Sequence, residues 1–305
     1  MTRNLILCIG EAMVELSGAD GPGLWRMGFA GDTLNTAWYL RRLLGHQWRV
    51  GYFSRVGNGE FSRELLDFMQ TEGIETDLVS RDPLREVGLY AISLKDGERS
   101  FSYWRDSSAA RGLADDPDSL DAALAACGTA YFSGITMAIL PDAGRRNLLK
   151  ALDRARASQC RIVFDPNLRP RLWTDAAPMR RWVEDAAARA DLVLPSLEDE
   201  MTHFGDADAH VTAERYLRLG AGQVIIKNGD GPVSFAGAAG AGVICDLPRV
   251  TPVDTTSAGD SFNAGYLAAA LNGADPATAI RKAHDLSRRV ILHHGALVRE
   301  AVRSA

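Results

Sequence analysis

The chain has no apolar run long enough to span a bilayer, no paired cysteines and no block of basic residues. Each absence removes a class of function. A membrane-spanning helix needs about 20 consecutive apolar residues, whereas the N-terminal apolar run is only Leu5–Ile9. That run is also too short for a secretory signal and reads as a buried first strand. Cys8, Cys127, Cys160 and Cys245 lie far apart, with no C-x-x-C pair. Three of them sit in or beside apolar runs, as small buried hydrophobes do. No disulfide framework is expected, which fits a reducing cytoplasm. The six His residues show neither H-E-x-x-H nor Cys-His spacing, so a protein-held zinc site is not expected. The Arg residues are spread along the chain and the net charge is −5, which disfavours phosphate-backbone binding, because that needs clustered cations. There is no Walker A sequence and no G-x-G-x-x-G after the first strand, so the usual phosphate-loop folds are disfavoured. No long internal repeat or low-complexity linker divides the chain, and residues 1–305 read as one domain.

What is present is an alternation of short apolar and longer amphipathic segments, which predicts an α/β fold with a mostly parallel sheet. Strands are predicted at Leu5–Ile9, Val50–Ser54, Ala130–Ser133, Arg161–Phe164, Leu192–Leu194 and Val224–Lys227. Helices are predicted at 33–44, 61–72, 143–157, 179–189, 213–219, 261–271 and 276–293; lengths of this kind supply the crossovers that parallel strands require. Two stretches break the pattern, residues 11–29 and 86–106. Both carry alternating apolar residues, and the second has Asp96-Gly97 at its centre, a strong hairpin signal. They predict a small β-sheet outside the main one, placed as a lid over the ends of the parallel strands, where such folds bind ligands. Its apolar face is a candidate surface for pairing with a second subunit.

The segment Asp254-Thr-Thr-Ser-Ala-Gly-Asp260 precedes an apolar helical run. Small residues at Ser257, Ala258 and Gly259 let a ligand approach the backbone, and a helix start there turns unpaired N–H groups toward an anion. Asp260 has two readings at this point. It is either a helix N-cap or a general base beside an anion-binding turn.

This segment resembles the C-terminal signature of the ribokinase-like (PfkB-type) carbohydrate kinases. Ala30-Gly-Asp-Thr-Leu-Asn-Thr-Ala37 resembles their N-terminal sugar-binding segment, and residues 50–73 resemble the strand–loop–helix that follows it. The likeness covers nearly the whole chain in the right order. It implies a three-layer α/β/α domain with a β lid, Asp260 as catalytic base, and an anion hole built by N–H groups of Ser257, Ala258, Gly259 and Asp260. Within the family the chain is most similar to the 2-keto-3-deoxygluconate kinases, through Gly10-Glu-Ala-Met-Val-Glu-Leu-Ser17, Gly88-Leu-Tyr90, Tyr103-Trp-Arg105 and residues 165–173. That likeness implies a six-carbon sugar acid and ATP as the small-molecule partners. Gly31, Asp32 and Asn35 would bind hydroxyls, and Tyr90 and Tyr103 would close from the lid. Arg105 and Arg169 would meet the carboxylate through paired hydrogen bonds. Asn35 also suits a helix cap, and the two tyrosines also suit packing of the lid.

For the nucleotide, the Gly-rich turn after the Gln223–Lys227 run points to Lys227, Asn228, Gly229, Asp230, Gly231 and Pro232. Asn167, Arg169 and the anion turn add to this set, and His284 and Ser287 are candidates for the adenine end. Magnesium is expected, held mostly by phosphates and water. The family's N-x-x-E pattern is altered here: Ser196 stands in the Asn place and Asp199 in the Glu place, with Glu198 and Glu200 as substitutes. The readings that stay open are a sibling kinase for fructose, ribose or a nucleoside, and a non-catalytic sugar- or nucleotide-sensing module.

Overall fold

The computed structural model describes residues 4–19, 21, 23–95, 98–238 and 240–302. In chain order the strands are β1 (Leu5–Ile9), β2 (Met13–Gly18), β3 (Trp25–Ala30), β4 (Arg49–Val56), β5 (Val79–Arg81), β6 (Gly88–Lys95) and β7 (Glu98–Trp104). They continue as β8 (Thr129–Ser133), β9 (Arg161–Asp165), β10 (Leu192–Val193), β11 (Gln223–Ile226), β12 (Val233–Gly237) and β13 (Gly240–Ile244). Nine of them form one sheet in the order β13-β12-β11-β10-β9-β8-β1-β4-β5. From β11 to β5 the pairing is parallel, and β12 and β13 extend the other edge antiparallel.

The buried strands are apolar on both faces because helices cover both. In β1 the two-residue period sends Leu5, Leu7 and Ile9 into one core and Ile6 and Cys8 into the other. The first core is closed by Leu148 and Leu152 of the helix Asp142–Ala157. The second is closed by Leu34 and Trp38 of the helix Asp32–Leu43 and by Phe262 and Leu267 of the helix Ala258–Leu271. Cys8, Cys127 and Cys160 are buried. The last two face each other across the first core, their sulfurs 3.3 Å apart. Among the described residues, no helix is long and apolar enough to cross a membrane.

A second sheet, ordered β3-β2-β6-β7, stands apart from the first. It is made of the two stretches that departed from the α/β pattern, and the Asp96-Gly97 turn itself lies outside the described residues. The chain enters this sheet at Glu11–Ala12 and leaves it at Gly31. There the backbones touch: a Cβ on Gly31 would lie 2.3 Å from the carbonyl oxygen of Glu11, so only glycine fits.

Candidate functional site

The C-terminal ends of the parallel strands are where the apolar sequence gives way to polar residues. Glu11 follows β1, Ser133 and Asp165 end β8 and β9, and Lys227 follows β11. The crevice outside that edge is where open α/β sheets hold their ligands. Two clefts lie along it. One, of about 430 Å³, is lined by Asp165, Ser196, Asp199, Lys227, Asn228, Gly229, Asp230, Ala258, Gly259, His284 and Ser287 among others. The other, of about 350 Å³, lies under the smaller sheet and is lined by Glu11, Gly31, Asp32, Asn35, Tyr90, Phe101, Tyr103, Arg105 and Arg171 among others. Asn167, Arg169, Thr255, Ser257 and Asp260 belong to both.

Asp260 thus sits at the junction. It is on the first turn of the helix Ala258–Leu271, whose N-cap is Ser257 in a left-handed conformation, φ 61°. The N-cap reading of Asp260 does not hold. Its Oδ2 instead accepts hydrogen bonds from Asn35 Nδ2 at 2.8 Å and Ser257 Oγ at 3.1 Å. Burial and the neighbouring Asp32 carboxylate push its pKa up to about 7, against the pull of those two donors. The turn before it is built by Asp254, which accepts from Thr256 N and Oγ1 and from Gly295 N. By helix geometry the N–H groups of Gly259 and Asp260 have no intrahelical carbonyl, and they carry the positive end of the helix dipole.

Asn35 is engaged twice, through its amide N–H to Asp260 and through Oδ1, which accepts from Gly31 N at 3.4 Å. Asp32 accepts from Thr33 N and from Asn167 Nδ2, both at 2.8 Å, and burial raises its pKa. Tyr90 is buried, donates its hydroxyl to Glu15 and stands 5.7 Å from the ring of Tyr103. Arg105 forms a buried ion pair with Glu11. Arg105 Nε and Glu11 Oε1 are buried without a hydrogen-bond partner among the described residues. Sequence reasoning missed Glu11, Phe101 and Arg171 here. Arg171 lies two residues after Arg169, and its guanidinium is 5.2 Å from the centre of the Tyr103 ring.

On the other side, the turn after β11 reaches the larger cleft through Asn228, Gly229 and Asp230. Gly231 and Pro232 are not among its lining residues; Gly231 instead closes the turn by donating its N–H to the Asn228 carbonyl at 2.6 Å. The three acids of 198–200 separate. Asp199 lines the cleft and its carboxyl is raised by burial. Glu198 is exposed. Glu200 points the other way, fully buried against Arg215 and Tyr216, which removes it as a substitute in the metal position. Among the described residues no three His, Cys, Asp or Glu side chains cluster as a metal site. His284 and Ser287 line the same cleft, and Ser287 Oγ donates to the Ala258 carbonyl. Asp165 and Asn263, unremarked in the sequence, form a buried polar knot with Lys227 behind the turn.

The chain is 39% identical over 307 residues to a protein of Dickeya dadantii (strain 3937) named 2-dehydro-3-deoxygluconokinase, with 98% of each chain covered. Among solved structures it is similar to a PfkB protein from Polaromonas sp. JS666, with a TM-score of 0.84, 31% identity and 99% of each chain covered. A fructokinase with bound ATP from Xylella fastidiosa shares the fold, with a TM-score of 0.83, 24% identity, 97% of this chain and 94% of that one. Residues 3–300 match the pfkB family carbohydrate kinase as a whole, and with a 39% relative aligned along the full length the chain belongs to that family of sugar kinases.

Proposed function

We propose that this kinase transfers the γ-phosphoryl group of ATP to the terminal hydroxyl of 2-keto-3-deoxygluconate, giving the 6-phosphate. The observation that carries the reading is the position of Asp260, shared by two clefts of different character. The cleft with the Gly-rich turn and the helix N-terminus suits a nucleotide. The cleft under the small sheet has three guanidinium groups, those of Arg105, Arg169 and Arg171, and suits a polyhydroxy acid. The name of the Dickeya dadantii relative supports the same substrate, and the ATP complex of the Xylella fastidiosa fructokinase supports the nucleotide.

In this reading Asn35 and Ser257 both bond Oδ2 of Asp260, which leaves Oδ1 to take the proton of the attacking hydroxyl. The new bond joins the sugar oxygen to the γ-phosphorus, the bond from phosphorus to the β,γ-bridging oxygen breaks, and ADP leaves. The N–H groups of Gly259 and Asp260 meet the charge that builds on the phosphoryl oxygens. Asn167, Arg169, Ser196, Asn228, Gly229 and Asp230 hold the nucleotide, while Gly31, Asp32, Tyr90, Tyr103 and Arg105 hold the sugar acid. Closure of the small sheet as a lid excludes water, which would otherwise compete for the phosphoryl group. Magnesium fits this donor set: Asp199 lines the nucleotide cleft, and one or two carboxylates with phosphates and water is its usual binding mode. When bound it neutralises phosphate charge.

The test is coupled ADP release with 2-keto-3-deoxygluconate, fructose and ribose, for wild type and Asp260→Asn. Selective turnover of the acid is expected, with kcat falling about 10²–10⁴-fold in the variant. A base works deprotonated, so with its pKa raised to about 7 kcat/KM should be flat at higher pH and fall tenfold per unit below that value. Preference for a neutral sugar would overturn the substrate, and an unimpaired Asp260→Asn would overturn the base.

A further inference from the structure

We infer that Lys227 is a catalytic group for phosphoryl transfer, with Asp165 and Asn263 as the residues that position it. The inference rests on the larger cleft being the nucleotide site, and goes beyond it by giving Lys227 a task at the transferred group.

Lys227 follows β11 and opens the Gly-rich turn, yet its side chain does not follow that turn. Its Nζ lies 3.2 Å from Asp165 Oδ1 and 3.1 Å from Asn263 Oδ1. A Cβ built on Gly259 would be only 3.7 Å from it. The ammonium therefore stands against the anion turn itself, one residue from Asp260. The three elements that bring it there are distant in sequence: the end of β9, the residue after β11, and the helix Ala258–Leu271. Asn263 follows Gly259 by four residues on that helix and so lies on the same face, one turn further in.

The clamp is over-determined. Asn263 Nδ2 donates to Asp165 Oδ2 at 2.7 Å and to the Tyr131 hydroxyl at 3.0 Å, so its Oδ1 is turned toward Lys227. Asp165 Oδ1 also accepts from Asn167 N at 3.2 Å. The side chains of Asp165 and Lys227 are only 4% and 13% exposed. An ammonium has three donors and no acceptor. Two are met by Asp165 and Asn263, and the third is left for an oxygen in the cleft that Lys227 lines.

A group that merely anchored the nucleotide would need no such fixing beside the base. Held here, the ammonium meets a γ-phosphoryl oxygen as charge spreads over it, and it costs no reorganisation during the reaction. Lys227 keeps its proton throughout; the hydroxyl proton goes to Asp260 and the electron pair of the broken P–O bond leaves with ADP.

The experiment is steady-state kinetics of Lys227→Ala on whichever sugar of the panel the wild type turns over, so that a wrong substrate and a wrong role give different results. The expected result is a fall in kcat of about 10²–10³-fold, the size seen when one charge-stabilising donor is removed, with KM for ATP within about threefold of wild type. Methylammonium should restore part of the lost kcat, and should fail to do so in the double variant Lys227→Ala, Asp165→Asn, because the added amine then has no clamp. A raised KM for ATP with unchanged kcat would overturn the inference, as would absence of amine rescue in a variant whose thermal unfolding matches wild type. Lys227→Arg keeps the charge for Asp165 and serves if Lys227→Ala does not fold; a kcat equal to wild type would then overturn it.

Discussion

The two sheets of this molecule are built from similar residues and held by different means. In the nine-stranded sheet, β1 and β8 are buried along their whole length, with helices on both faces. In the four-stranded sheet, β3 begins with three exposed residues, and Trp25, Met27 and Trp104 stay 48%, 39% and 61% exposed. Only part of it is fixed to the body, through Phe29 against Phe68 and through a small cluster of Met13, Ala30, Tyr90 and Ala296. The larger sheet is a platform whose stability comes from area removed from water on both sides. The smaller one gives up that stability and keeps one face for the cleft, as suits the lid role proposed above.

The sharpest way to break this comparison is a large-to-small change in the platform. Phe132 on β8 is fully buried and packs 4.8 Å from Phe164. Phe132→Ala is expected to cost about 3–5 kcal/mol in urea unfolding, and a small loss would mean the platform is less tightly packed than its burial suggests. A smaller effect is expected at the edge of the lid. Arg105→Lys keeps a cation beside Glu11 but removes the planar fork and its Nε donor. The kcat/KM for the keto-deoxy acid should fall about 10- to 100-fold, as for loss of a hydrogen bond to a charged group, and fructose turnover should not change. Loss on both sugars would show the lid itself to be disturbed. The smallest effect is expected on the lid's open face, where Trp104→Ala should change stability by no more than about 0.5 kcal/mol. A larger loss would show that this face is covered, and light scattering would then read the mass of the assembly.

Much of the platform was legible in the sequence because buried parallel strands are continuous apolar runs. Each of the six predicted strands is present with ends shifted by at most two residues, and each of the seven predicted helices with ends shifted by at most four, the largest shift being at 213–219, which starts at Ala209. The strands β12 and β13 were missed because Val233–Gly237 and Gly240–Ile244 carry glycine and alanine in place of bulky residues. The helix Pro117–Ala126 was missed because its apolar residues show little period, and Gly134–Ile139 and Leu197–Phe204 were missed because they are only six and eight residues long. At the site, the turn before Asp260 was legible because Ser257, Ala258 and Gly259 are small residues leading into an apolar helical run. The partner of Arg105 was not, because Glu11 and Arg105 are 94 residues apart. The separation of Glu198, Asp199 and Glu200 was equally hidden. Adjacent acids in a helix point about 100° apart, and only the neighbouring Arg215 decides which one is withdrawn from the cleft.

By itself, then, the sequence determined the alternation of strand and helix, the place of the lid segments and the small-residue turn before Asp260. These are local properties, written in period, glycine and capping chemistry. The tertiary structure alone decided that Asn35 and Ser257 grip the same oxygen of Asp260, that Glu11 takes half of Arg105, and that Lys227 is drawn to Gly259 by Asp165 and Asn263. Apart from the local bond of Ser257 to Asp260, those contacts join segments dozens to hundreds of residues apart, and their strength depends on burial, which arises only when both sheets and their helices have closed around them.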